Sequence, residues 1–165
     1  MANISTFALG RRALFAGLIA VVCSASAADI QPGTQKSESP SPRQNRIMKI
    51  RLMVNDTVIA TATLDDNESA RQFAALLPLS LVLNDYAATE KVADLPGRLS
   101  TKGAPDGYKP SAGDIAYYAP WGNLAIFHKD FGYSSGLVRL GRLDSGLDAM
   151  RRPGQMSVRV EVALP

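Results

Sequence analysis

Residues 48–77 read MKIRLMVNDTVIATATLDDNESARQFAALL. Ile50, Leu52 and Val54 alternate with Lys49, Arg51, Met53 and Asn55, which is the period of a strand with one buried face. Asn55-Asp56 marks a tight turn, although it lacks the usual glycine. Val58, Ala60, Ala62 and Leu64 then alternate with Thr57, Thr61 and Thr63, so the two runs predict a hairpin. Past Leu64 the period changes. Asp65 is the expected N-cap and Glu68, three residues on, its capping-box partner. Ala70, Phe73, Ala74 and Leu77 follow at i, i+3, i+4 and i+7, one apolar face of a helix that Pro78 ends.

Downstream, the pattern returns to strands. Leu79, Leu81 and Leu83 alternate with Ser80 and Asn84. Residues 85–113 carry the turn signals Leu95-Pro96-Gly97 and Ala104-Pro105-Asp106-Gly107, with short strands or loop expected between them. Ile115 to Tyr118 and Asn123 to His128 read as strands joined by the turn Ala119-Pro120-Trp121-Gly122. Lys129 to Gly136 is a glycine- and serine-bearing loop, and Leu137 to Leu143 is a strand. Gly146 to Arg151 is a short helical turn. The last strand puts Met156, Val158, Val160 and Val162 on one face. Most of these connections are too short for parallel crossovers. The expected fold is mainly β: a closed antiparallel β-barrel with one main helix and one short helix capping its ends.

Ahead of this domain the sequence changes character. Arg11-Arg12, the ten apolar residues Ala13 to Val22 and the small residues Cys23 to Ala28 are the three parts of a signal peptide over residues 1–28. Ala25-Ser26-Ala27 fits the cleavage site, with the cut before Ala28. The apolar run is half of the roughly 20 residues that span a bilayer, so no stable membrane anchor is expected. Arg11-Arg12 is an incomplete twin-arginine pattern, and bulky Val22 precedes Cys23 where a lipobox wants a small residue. The expected destination is the periplasm or the exterior. Residues 29–46, DIQPGTQKSESPSPRQNR, hold three prolines and almost nothing to bury, and read as a flexible linker to a domain over 47–165.

Cleavage alters the chemistry that remains. The chain has 18 Lys+Arg and 15 Asp+Glu, and the signal removes two arginines and no acid, leaving 16 against 15. A near-neutral product gives no electrostatic case for nucleic acid. The one cysteine, Cys23, leaves too, which excludes a disulfide, a thiol nucleophile and a cysteine metal site. His128 is the single histidine and cannot fill both roles of a triad. Asp65-Asp66 is explained by helix capping and Asp114 by turn chemistry. The glycines at 103, 107 and 113 fall in turns, so no phosphate loop opens a helix. No catalytic residues, no metal site and no cofactor are expected.

Three stretches carry a resemblance: residues 48–77; Ala112 to Tyr118 with Gly122 to Phe127; and Leu137 to Leu143 with Gly146 to Met150, closed by Ser157 to Val162. Their order resembles the cyclophilin fold, and more closely the small bacterial cyclophilin-like domains. That resemblance implies a barrel with a peptide-binding cleft, and prolyl isomerisation where the family's cleft residues are present. Cyclophilins carry an arginine in Phe-His-Arg-Ile and a Gln-Gly-Gly-Asp stretch; neither occurs here. Where they have Ser-Gln-Phe-Phe, this chain has Asn123-Leu124-Ala125-Ile126, and Leu137 stands where they have a histidine. Isomerisation needs a fixed donor that favours the twisted amide over the planar one, so the departures favour binding without catalysis. A peptidyl-prolyl cis-trans isomerase with a degenerate site is the alternative.

Six of the 11 aromatic residues lie between Tyr117 and Tyr133. Tyr117 and Phe127 are read as core, whereas aromatics on loops line binding surfaces. The expected site is an apolar cleft of Trp121, Leu124, Ile126, His128 and Leu137, rimmed by Phe131 and Tyr133, for a peptide or small-molecule ligand.

Overall fold

The computed structural model describes residues 48–163. The expected signal peptide and linker lie outside the described residues. The chain runs β1 (Met48–Val54), β2 (Thr57–Leu64), α1 (Glu68–Ala75), β3 (Leu79–Tyr86), β4 (Glu90–Asp94), β5 (Gly107–Tyr108), β6 (Asp114–Tyr118), β7 (Asn123–Phe127), β8 (Ser134–Ser135), β9 (Leu137–Ser145), α2 (Leu147–Met150) and β10 (Met156–Val162). Eight strands close an antiparallel barrel in the order β1-β10-β3-β4-β7-β6-β9-β2, and β5 pairs with β8 in a separate ribbon. This is the expected fold class, with its main and short helices.

The opening hairpin forms as its pattern requires. Ile50 and Leu52 face Ala62 and Ala60 across the β1–β2 pair, and all four are buried. Asn55 and Asp56 both have positive φ, 47° and 60°, the backbone of the tight hairpin turn that matches strand twist. Asn and Asp tolerate that region better than other non-glycine residues. The helix starts two residues later than expected. Asn67, not Asp65, is the N-cap, its side-chain oxygen accepting from Ala70 N at 2.8 Å. Asp65 is unavailable because its own N–H donates to the carbonyl of Leu140 on β9, which keeps the chain extended there. Glu68 therefore opens the first turn and bonds Gln72 instead of closing a capping box. Ala70, Phe73 and Ala74 are buried as the helical spacing predicts, in one cluster with Leu83, Leu140 and Val160.

Residues 85–113, where the turn signals predict short strands or loop, hold the end of β3, β4 and the two-residue β5. The β3–β4 turn is Ala87-Ala88, with φ of 48° and 53°. No residue there announces a turn. Within β4 the alternation is inverted against polarity: Lys91 and Ala93 are buried. Lys91 is 0% exposed, and its Nζ donates to Asp85 Oδ1 at 2.5 Å and to the Gly154 carbonyl at 2.6 Å. Asp85 in turn accepts from Gly154 N. This clamp ties the β3–β4 hairpin to the segment that leads into β10.

A buried ammonium stripped of its carboxylate is costlier than the removal of the ammonium itself. Asp85→Ala should therefore lower Tm at least twice as far as Lys91→Met, measured by thermal denaturation. Equal losses would show that the clamp does not hold a charge. The pair Ala87→Asn and Ala88→Gly should raise stability by about 1 kcal/mol in urea titrations, because Asn-Gly enters the left-handed region at less cost than two alanines.

Candidate functional site

Strands β6 and β7 are buried almost throughout. Their inward side chains, among them Ile115, Tyr117, Leu124 and Ile126, belong to the barrel core. Ala116, Ala125 and Phe127 form a second apolar cluster with Leu137, against which Val92, Tyr108 and Tyr118 pack. That second surface is the floor of a cleft of about 170 Å³. Tyr86, Glu90, Tyr118, Trp121, Asn123, Phe131 and Ser134 complete its lining.

Backbone bonds hold the walls. The β6–β7 turn that carries Trp121 is closed by Gly122 N donating to the Tyr118 carbonyl at 2.8 Å, and Gly122 has a φ of 79°. Arg98 Nη1 donates to the Ala119 carbonyl at 2.7 Å. Gly136, with a φ of 77°, meets the same turn: a Cβ there would lie 2.8 Å from Pro120 Cδ. The loop carrying Phe131 is anchored by Phe131 N to the Pro110 carbonyl and by Asp130 Oδ1, which accepts from Ala112 N. Phe131 thereby lies 6.2 Å from Phe127, centroid to centroid. Tyr86 and Tyr118 each meet Trp121 edge to face, at 5.5 Å and 88° and at 5.4 Å and 82°. Rings set at right angles make walls, not a stack.

Three of the expected site residues, Trp121, Phe131 and Leu137, share this cleft. Leu124 and Ile126 do not: each is 1% exposed and points into the barrel core. Their strand is buried on both faces, so its apolar pattern does not say which parity faces the cleft. Asn123, Ala125 and Phe127 take the positions assigned to them. Phe127, read as core, forms the floor. His128 is buried but lines a separate shallow groove with Asp85, Lys129 and Arg151. Burial, reinforced by Lys129, holds its imidazole below the usual histidine range. Tyr133 is 64% exposed and stands outside the lining. Tyr86, Glu90, Asn123 and Ser134 had no signal in the sequence.

Glu90 is the chemically distinctive group. Its side chain has no hydrogen-bond or salt-bridge partner among the described residues, and burial pushes its carboxyl up to about 7. Asn123 Oδ1 is also buried without a partner. The other titratable side chains lining the cleft are Tyr86 and Tyr118, and among the described residues no lysine or arginine lines it. A fixed cationic donor for a twisted amide is therefore missing from it. Among the described residues, no three His, Cys, Asp or Glu side chains gather to hold a metal ion.

A carboxyl whose pKa is higher folded than unfolded binds more protons in the folded state. Its contribution to stability is then present at low pH and is lost as pH rises toward 7. The change should vanish in Glu90→Gln. Relative to the unchanged protein, Glu90→Gln should gain about 1 kcal/mol between pH 5 and pH 8, a figure reduced from the fully buried limit because the side chain still meets water. Using the difference between the two proteins cancels the opposite slope from His128, and urea titrations at the two pH values read it.

The chain matches the model of the cyclophilin-like family over residues 52–161. Among solved structures, the solution structure of a hypothetical protein from Archaeoglobus fulgidus is similar, at 21% identity and a TM-score of 0.53, covering 71% of this chain and 95% of that one. The crystal structure of the Mimivirus cyclophilin is a weaker likeness, at 13% identity and a TM-score of 0.45, covering 75% of this chain and 93% of that one. No curated protein sequence matches. The family match runs from the end of β1 through the helix and every strand that lines the cleft, two thirds of the chain, and on that ground the chain belongs to the cyclophilin-like family.

Proposed function

We propose that this protein is an exported, non-catalytic binding domain that takes a peptide or small ligand in the cleft beside Trp121. One observation carries the binding reading: a concave, mostly apolar site walled by Trp121 with two tyrosine rings set edge to face against it, with a few convergent polar groups and, among the described residues, no fixed cation. Such a lining suits a ligand site. Without a donor aimed at a twisted amide it has no evident means of binding that transition state better than the ground state. The export half rests on the order of basic, apolar and small residues over 1–28.

Sequencing the N-terminus of protein recovered from the periplasm or medium should find it at Ala28; intact Met1 in that fraction would refute cleavage, and recovery from the cytoplasm alone would refute export. A protease-coupled prolyl-peptide assay should show no acceleration, whereas acceleration abolished by Trp121→Ala would establish the isomerase instead. Trp121→Ala should weaken a bound ligand at least tenfold, as loss of a central aromatic anchor does. Trp121 is 58% exposed, so its loss should leave Tm nearly unchanged.

A further inference from the structure

Besides the hydroxyls of Tyr86 and Tyr118, three polar groups of the cleft can accept a hydrogen bond: Glu90 brings a carboxylate, Asn123 an unmatched side-chain oxygen and Ser134 a hydroxyl. No lysine or arginine among the described residues lines the cleft to neutralise Glu90. Asp114, Glu161 and Asp85, by contrast, are paired with Arg142, Arg51 and Lys91. A carboxylate left alone against aromatic rings is costly to ionise, and a ligand cation would remove that cost. The rings add to the attraction, because the faces of Trp and Tyr are negative and draw a cation.

We infer that the cleft takes the ammonium group of a lysine side chain on an extended peptide, seated between Tyr86, Tyr118 and Trp121 and bonded to Glu90 and Asn123. The identification rests on the binding role proposed above and specifies its ligand. The shape of the donor selects the group. An ammonium is a compact charge with three N–H donors for the carboxylate, amide and hydroxyl oxygens of the cleft, a guanidinium is a wider planar fork, and a quaternary ammonium has no donor. Size selects the rest. A volume of about 170 Å³ is smaller than the roughly 300–1,000 Å³ of a site that swallows a whole small ligand, and suits one side chain. Beside it the exposed rings of Phe131 and Tyr133 are left to meet the flanking peptide.

Trp121 is the single tryptophan, so its fluorescence reports the cleft directly. The full chain would be titrated with acetyl-Ala-Lys-Ala-amide, with the same peptide carrying norleucine or arginine, and with n-butylammonium chloride. The lysine peptide should bind at least tenfold tighter than the norleucine and arginine peptides and tighter than n-butylammonium. Glu90→Gln should cost the lysine peptide about tenfold and leave the norleucine peptide unchanged. If norleucine binds as well as lysine, or Glu90→Gln spares the lysine peptide, the cation assignment is wrong while the binding role stands. Arginine binding as tightly as lysine would overturn the choice of ammonium over guanidinium, and n-butylammonium binding as tightly would overturn the peptide. Should none of the four bind at millimolar concentration, the binding role falls with the inference.

Discussion

Eight strands bonded in a ring leave no free edge. β1 is held by β2 on one side and by β10 on the other, so the first and last strands of the domain meet and every strand between them is fixed in register. In a closed sheet a slip of one residue would turn a whole strand inside out. The inside of the barrel needs apolar side chains at alternate positions all the way round. Whatever is left facing outward on β4, β6 and β7 must then be covered or used. The 128–136 segment and the β5–β8 ribbon cover part of that surface, and the uncovered part is the cleft. Gly141 shows how tight the ring is: bonded between β2 and β6, it leaves no room for a Cβ, which would lie 2.3 Å from the Thr63 carbonyl oxygen.

Elements with one wet face were legible in the sequence. β1, β2 and β10 alternate apolar and polar residues, and their buried positions follow from that alternation. The apolar face of α1 was legible for the same reason, but its first residue was not, since a strand bond from Asp65 to Leu140 delays the helix. β4 gave no signal. Its turn is made of two alanines in a backbone region they disfavour, and a lysine occupies a buried position because Asp85 on β3 balances its charge and the carbonyl of Gly154, just ahead of β10, accepts a second bond. Local pattern carries no information about a carbonyl brought in from 63 residues away.

The same distinction separates the legible part of the site from the rest. The density of aromatics between residues 117 and 133 marks two walls of the cleft, and Trp121 and Phe131 are in it because they sit on turns and loops, where parity does not apply. On β7 parity does apply, and a strand apolar at every other position on both faces does not disclose it. Tyr86 and Glu90 reach the cleft from a hairpin more than 30 residues away in sequence, brought there by the pairing of β4 with β7.

Glu90 and Lys91 are neighbours in sequence with opposite surroundings: one faces the cleft, the other is sealed in the core. β4 thus carries two records on one ribbon, read from opposite sides. Substitutions on the outer side can accumulate without touching the charge pair that locks the hairpin down. A lineage of such barrels can trade one ligand for another while its interior stays constant, and an engineer re-addressing the cleft would vary positions 86, 90, 121 and 123 and leave 85, 91 and 154 alone.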